Sequence, residues 1–417
     1  KLKPEVYDFL QGLFPDDQEI TVEFDDYDFD AIGTILYGTF PSHEYRHPVA
    51  DAFITDGVSG HVKVQTTSEL EFMVVLPRPD PARGIVPPYK TVIFQHALTV
   101  CKESMVAIAN EFNDRGLALI GIDVVRHGSR SEDSLLGDRS CTIDGIDFLL
   151  PDNNPLAGRE GFRQTIADQM HLTRMIKDPG FLIDVAPKDG VSDLDVTRLG
   201  YVSQSLGSII GGTFVSLDPD VGAAVLNVGG GGLYSVAFSF LGGGGDGDPV
   251  GPDGFAQLPE ELLDLLLIVQ NGLERADPIN YARFANRSPL VIDGVTGPYK
   301  NILLQEAIDD GVVGNYSTDA LTRQFGGELA GPSFFREVDG LAIRNAPFSG
   351  NVGGGTATIA MSQFSPADHS FLLTLDDPGA FCRGQTQAAE FVRSYLETGV
   401  STVIDAYTAP EAADCPP

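Results

Sequence analysis

Apolar runs alternate with helix-like segments along most of this chain, which predicts an α/β fold with a mostly parallel central sheet flanked by helices. Three observations carry that expectation. Residues 91–94, 118–123 and 198–202 are apolar enough to be strands covered on both faces. Residues 103–113 and 163–176, which lie between them, read as helices. The third strand then runs directly into a Gly-rich helix start at Ser208-Ile209-Ile210-Gly211-Gly212.

The remaining elements follow in order. Residues 1–90 read as a β-rich N-terminal extension packed on the core, with alternation in Glu19-Ile20-Thr21-Val22-Glu23-Phe24 and Gly60-His61-Val62-Lys63-Val64. A strand over residues 69–77 leads into a Pro-rich link that ends at Pro88. Ala223-Ala224-Val225-Leu226-Asn227-Val228, Pro289-Leu290-Val291-Ile292-Asp293 and Asn301-Ile302-Leu303-Leu304-Gln305 continue the strand series. Residues 91–417 form the main domain, and 229–288 read as a cap or lid inserted in it. Glycine clusters at 229–232 and 242–245 flank an apolar segment there, and a Leu-rich helix follows at 259–271.

The most informative stretch is Leu199-Gly200-Tyr201-Val202-Ser203-Gln204-Ser205-Leu206-Gly207. A serine flanked by small residues two positions away on each side, between a strand and a helix, has the spacing of the nucleophile elbow of α/β-hydrolases. Such a turn lifts the Ser205 hydroxyl clear of the sheet and leaves helix N–H groups free for an oxyanion. In that fold the acid and the base follow the serine in the order acid, His. Of seven histidines only His369 lies beyond residue 310, in a loop-like stretch ahead of a helical segment. The acid is expected after the strand that ends at Gln305, where Asp309 and Asp310 both stand. Asp310 is preferred because Val312-Val313-Gly314-Asn315 restarts the chain at the usual offset, and Asp309 stays as the alternative. The oxyanion donors are expected to be the amides of Leu206 and Leu98. Ala97 stands where this fold often has glycine, and His96 reads as a brace for that loop.

Further stretches carry a resemblance. They are Phe94-Gln95-His96-Ala97-Leu98-Thr99, Asn154-Pro155-Leu156-Ala157-Gly158-Arg159, Phe162-Arg163-Gln164-Thr165 and Asp195-Val196-Thr197-Arg198. To these add Gln204-Ser205-Leu206-Gly207, and Gln305 followed by Asp310, Val313 and Asn315. Across residues 91–406 the chain resembles the bacterial extracellular lipase and esterase group of the α/β-hydrolases, which is related to virulence-factor lipases. The resemblance implies an ester-cleaving triad of Ser205, Asp310 and His369, and an exported or cell-surface protein.

The reaction so implied is hydrolysis of a small-molecule or lipid carboxylic ester, with polyesters as a side activity, and it needs no metal or cofactor. A phospholipase or lysophospholipase is the alternative, and a hydrolase-like protein that only binds is a more distant one. A formal charge of −32, from 59 acidic and 27 basic residues, argues against nucleic acid as an electrostatic partner. No apolar run is long enough for a transmembrane helix. The first residue is lysine, so removal of a leader is compatible with export. The four cysteines are expected to pair as Cys101–Cys141 and Cys382–Cys415. Asp25-Asp26-Tyr27-Asp28-Phe29-Asp30 and Asp246-Gly247-Asp248 offer oxygen ligands, but neither fits a calcium loop.

Overall fold

The computed structural model describes residues 29–49, 51–131, 148–149, 155–185, 187–240 and 270–416. The first six strands are β1 (Ile32–Glu44), β2 (Thr66–Pro77), β3 (Tyr89–Gln95), β4 (Leu117–Ile122), β5 (Leu194–Gln204) and β6 (Val221–Asn227). β7 (Val291–Ile292) and β8 (Val295–Thr296) form a separate hairpin. β9 (Asn301–Ala307), β10 (Glu328–Gly331), β11 (Ile343–Asn345) and β13 (Ile359–Phe364) rejoin the sheet, while β12 (Phe348–Ser349) pairs with β14 (Thr402–Val403). The ten-stranded sheet has the order β1-β2-β4-β3-β5-β6-β9-β13-β10-β11. Every neighbouring pair from β4 to β11 is parallel, and β2 runs antiparallel to both β1 and β4.

The helices are α1 (Val106–Asp114), α2 (Pro155–Lys177), α3 (Leu206–Leu217), α4 (Leu233–Phe240), α5 (Asn315–Phe325) and α6 (Pro378–Thr398). Alternate strand residues serve opposite layers, as the pleat requires. Val92, Phe94, Val202 and Leu303 pack with Phe112 of α1 and with Ala388, Phe391 and Val392 of α6. Ile93, Tyr201, Leu226 and Leu304 pack instead with Leu172 of α2, Phe214 of α3 and Leu321 and Phe325 of α5. Burial on both faces explains the continuous apolar runs that marked these strands. Each fully buried Phe, such as Phe112, Phe214 or Phe391, contributes about 1.5–3 kcal/mol by transfer from water.

Several expectations change. The run 289–293 lies outside the central sheet: Asp293 and Gly294 have φ of 52° and 80°. This two-residue turn folds β7 and β8 into an exposed surface hairpin. Residues 60–64 make only a single bridge, Thr55 to Val62. The long edge strand β1 is not legible as a strand, because Gly33, Gly38 and Pro41 interrupt its pattern. At Gly38 the Phe72 ring of β2 occupies the space a Cβ would need, so a larger residue there would have to displace the ring.

Cys382 at the start of α6 is bonded to Cys415, pinning the C-terminal segment. The expected Cys101–Cys141 pairing falls on Cys141, which lies outside the described residues, as do residues 19–24 and 246–248. Of the cap segment, residues 229–240 and 270–288 are described. Its first glycines serve close packing: a Cβ on Gly229 would lie 2.5 Å from Ser208 Cβ, and one on Gly230 2.6 Å from Ser317 Cβ. Among the described residues no helix is long and apolar enough to cross a membrane.

Candidate active site

β5 lies in the middle of the sheet, between β3 and β6, and Ser205 is the turn that joins it to α3. Its backbone sits at φ 54°, ψ −117°, a region that costs a non-glycine residue about 1–3 kcal/mol. The surroundings hold it there. The Ser205 N–H donates to Asn227 O at 2.9 Å, and the amides of Ser208 and Ile209 donate to Ser205 O at 2.8 and 3.0 Å. Tyr201, buried beneath, donates from its hydroxyl to Gly207 O at 2.8 Å. Gly207 is obligatory: a Cβ there would overlap Gln95 O and lie 2.7 Å from His96 O. The elbow therefore presses directly on the loop that follows β3.

His369 comes from the loop after β13, and its Nε2 lies 2.7 Å from Ser205 Oγ. Its Nδ1 lies 2.7 Å from Asp310 Oδ2. The other carboxylate oxygen, Oδ1, accepts from the amides of Val312 and Val313 at 2.8 and 3.1 Å, so Oδ2 is left to the imidazole. Of the two aspartates after β9, Asp310 is the one that meets His369. Asp309 sits at φ 62° and donates its amide to Asn315 Oδ1 at 2.9 Å. Asn315 in turn donates to Ala307 O at 2.6 Å, closing the acid loop. Gln204, which the sequence marks as part of a motif without giving it a role, donates from Nε2 to His369 O at 2.6 Å and fixes the His369 loop from the strand side.

As the first residue of α3, Leu206 has an amide that no earlier turn of its helix can accept. Leu98 is half-buried in the β3–α1 loop. The positive φ of that loop falls on Thr99 (64°) and not on Ala97, which is why alanine is tolerated where glycine was expected. His96 is fully buried, accepts the Val124 N–H at Nε2 (2.9 Å) and bonds Ala97 O through Nδ1 (2.7 Å). Burial, reinforced by the His127 imidazole, pulls its pKa down to about 3 although the Asp123 carboxylate pulls the other way. A neutral ring wedged between two backbone groups braces the loop, as read from the sequence.

Two buried ionic clusters flank these loops. Asp123 meets Lys102 Nζ at 2.9 Å, and Lys102 also reaches Glu71 (2.8 Å) and Glu103 (3.0 Å). Burial would raise the Asp123 carboxyl, but the charge of the Lys102 ammonium together with the hydrogen bonds from Lys102 and the field of His96 outweighs it and holds the pKa down. Because that ammonium supplies the positive charge and Cys101 is disulfide-bonded, the Cys101–Glu103–Asp123 grouping is an ion-pair site and not a metal centre. On the other side Glu306 of β9 meets Arg336 at 2.6 Å and Gln363 of β13 at 3.0 Å, and Arg336 chelates Asp319. Burial pushes Glu306 up to about 8, against the pull of Arg336. A cavity of about 590 Å³ between β1 and α2, lined by Phe40, His43, His171, Arg174 and Phe181 among others, contains no residue of the Ser205 site. Hydrogen-bond geometry, and not cavity size, therefore marks the candidate site.

No family model matches the chain, and no curated protein matches it. Among solved structures it is similar to an acylaminoacyl peptidase of Pyrococcus horikoshii, at 13% identity and a TM-score of 0.43 over 86% of this chain. The alignment spans only 41% of that peptidase. It is also similar to an esterase of Pyrococcus furiosus, at 13% identity and a TM-score of 0.40, over 79% of this chain and 88% of the other. An acetyl xylan esterase from a Thermoanaerobacterium species aligns at 13% identity and a TM-score of 0.42, over 79% of this chain and 82% of the other. Likenesses this distant carry no inference about substrate. The sheet order, the turn at Ser205 and the chain order Ser, Asp, His give this protein the α/β-hydrolase fold.

Proposed function

We propose that the protein is a serine hydrolase that cleaves carboxylic esters through Ser205, His369 and Asp310. The observation that carries this reading is the unbroken Ser205–His369–Asp310 hydrogen-bond chain, 2.7 Å at each step, which starts from a serine at positive φ. In the proposed reaction His369 Nε2 takes the Ser205 proton as Oγ attacks the ester carbonyl. Asp310 Oδ2 accepts from Nδ1–H and fixes the tautomer that leaves Nε2 free as a base. The amides of Leu206 and Leu98 receive the oxyanion, and each such donor is worth about 3 kcal/mol. His369 returns its proton to the leaving alcohol. It then activates the water that releases the acyl group.

The finer reading follows the resemblance to extracellular bacterial lipases and esterases. An exported or cell-surface esterase is supported by the Cys382–Cys415 bond, since disulfides persist in oxidising compartments. The test is hydrolysis of p-nitrophenyl esters with acyl chains of about two to sixteen carbons, wild type beside Ser205→Ala. A loss of about 10⁴-fold or more is expected in the variant, and the chain-length optimum separates an esterase from a lipase. Activity that survives the substitution would overturn the proposal.

A further inference from the structure

The proposed oxyanion hole needs an amide from residues 96–101, between β3 and the short 3-10 turn Lys102–Met105, and no helix or strand holds that stretch. Its two ends are tied to the chain just after β4. At the start, His96 accepts the Val124 N–H at 2.9 Å. At the end, the Lys102 amide donates to Asp123 Oδ1 and Lys102 Nζ to Asp123 Oδ2, each at 2.9 Å. Leu98 lies between these anchors. Asp123 also reaches forward along its own chain, where Oδ2 accepts from the Ser129 amide (2.9 Å) and hydroxyl (2.7 Å). Gly128 sits so close that a Cβ would lie 2.5 Å from Asp123 Oδ1. One carboxylate thus binds the loop after β3 to the loop after β4.

Asp123 is fully buried and Lys102 is 2% exposed. Desolvating an ion costs several kcal/mol, and apolar residues of similar volume often serve stability as well or better. Simple packing therefore gives no reason for the charge, whereas a loop that must present one amide with sub-ångström accuracy does. Displacement by about 1 Å from a productive geometry costs on the order of 100-fold in rate.

We propose that Asp123 is a positioning residue for ester hydrolysis: by gripping the Lys102 amide and ammonium it holds the 96–102 loop so that the Leu98 N–H, with that of Leu206, faces the oxyanion formed at Ser205. This rests on the serine-hydrolase reading above. Asp123→Asn keeps the size and one acceptor for the Lys102 amide, and removes the acceptor that Lys102 Nζ and Ser129 share. Its kcat on a short-chain p-nitrophenyl ester is expected to fall about 10- to 100-fold with KM within about twofold of wild type. The inhibition constant of an alkylboronic acid, which adds to Ser205 as a tetrahedral anion, should rise by a similar factor. Both are measured at a temperature where circular dichroism shows the variant folded.

Wild-type kcat and boronate affinity in the folded variant would overturn the proposal, as would a change confined to KM. If Asp123→Asn does not fold, Ser129→Ala carries the test. Removing one bond to Asp123 from outside the loop should lower kcat about threefold at constant KM, and a wild-type kcat would overturn the proposal. Ser205→Ala runs beside both: activity surviving there defeats the hydrolase reading itself, separately from the role of Asp123.

Discussion

The two halves of the site are held by different means. The acid and base loops are fixed by backbone amides and side-chain amides: Val312 and Val313 on Asp310, Asn315 across the turn, and Gln204 on His369 O. The loop on the oxyanion side is fixed by a neutral buried imidazole and a buried ion pair, His96 and Asp123–Lys102. On the acid side the charged partner is Asp310 itself, held by backbone amides, and the base loop takes a neutral bond from Gln204. The loop after β3 is held instead by a side-chain ion pair, whose charge-assisted bonds are roughly twice as strong as neutral ones. The difference implies that the two halves respond differently to substitution and to acid.

The largest effect is expected on the acid side. Asp310→Asn keeps the shape but offers a donor to Nδ1, which favours the wrong tautomer, and should lower kcat by about 10³- to 10⁴-fold. Asp309→Asn, which leaves the imidazole contact alone, should stay within about threefold in the same steady-state assay, because Asn tolerates positive φ. Equal losses in both would erase the distinction between the aspartates.

Next in size is the point where the halves touch. Gly207→Ala drives a methyl into Gln95 O and His96 O, and backbone is poorly placed to yield. A stability loss of about 1–3 kcal/mol and a fall in kcat are expected together, from urea melts and steady-state rates. A variant as stable and active as wild type would mean the two loops are not in contact.

The smallest effect, taken per pH unit, concerns acid. His96 stays neutral in the fold down to about pH 3, whereas in the unfolded chain it binds a proton below its ordinary value of 6.5. The unfolded state therefore holds more protons in that window. The contribution of His96 to stability is complete above pH 6.5 and is lost as pH falls toward 3, with a slope of at most about 1.4 kcal/mol per pH unit. His96→Asn should flatten the acid limb of unfolding free energy against pH by up to one proton. An unchanged slope would mean that His96 does not stay neutral.

Legibility in the sequence follows the same division. That Ser205, Asp310 and His369 come together is readable because their order and turn chemistry are local: small residues around one serine, a strand end before an aspartate, and one late histidine. The strands they stand on are readable because burial on both faces makes them apolar runs. Asp123 and Lys102 are not readable. They lie 21 positions apart and meet only because β3 and β4 are neighbours in the sheet. Gln204 is hidden for the same reason, since its partner His369 O is 165 positions away. At residues 289–293 the Asp293-Gly294 turn pair outweighs the apolar run and folds it into a surface hairpin.

The most direct test of the central claim is to treat the protein with a fluorophosphonate ester and locate the adduct by peptide mass spectrometry. The account predicts one phosphonyl group, on Ser205 and not on Ser203 or Ser208, with labelling abolished in His369→Ala. An adduct on another serine, or none on the folded wild-type protein after treatment, would contradict it.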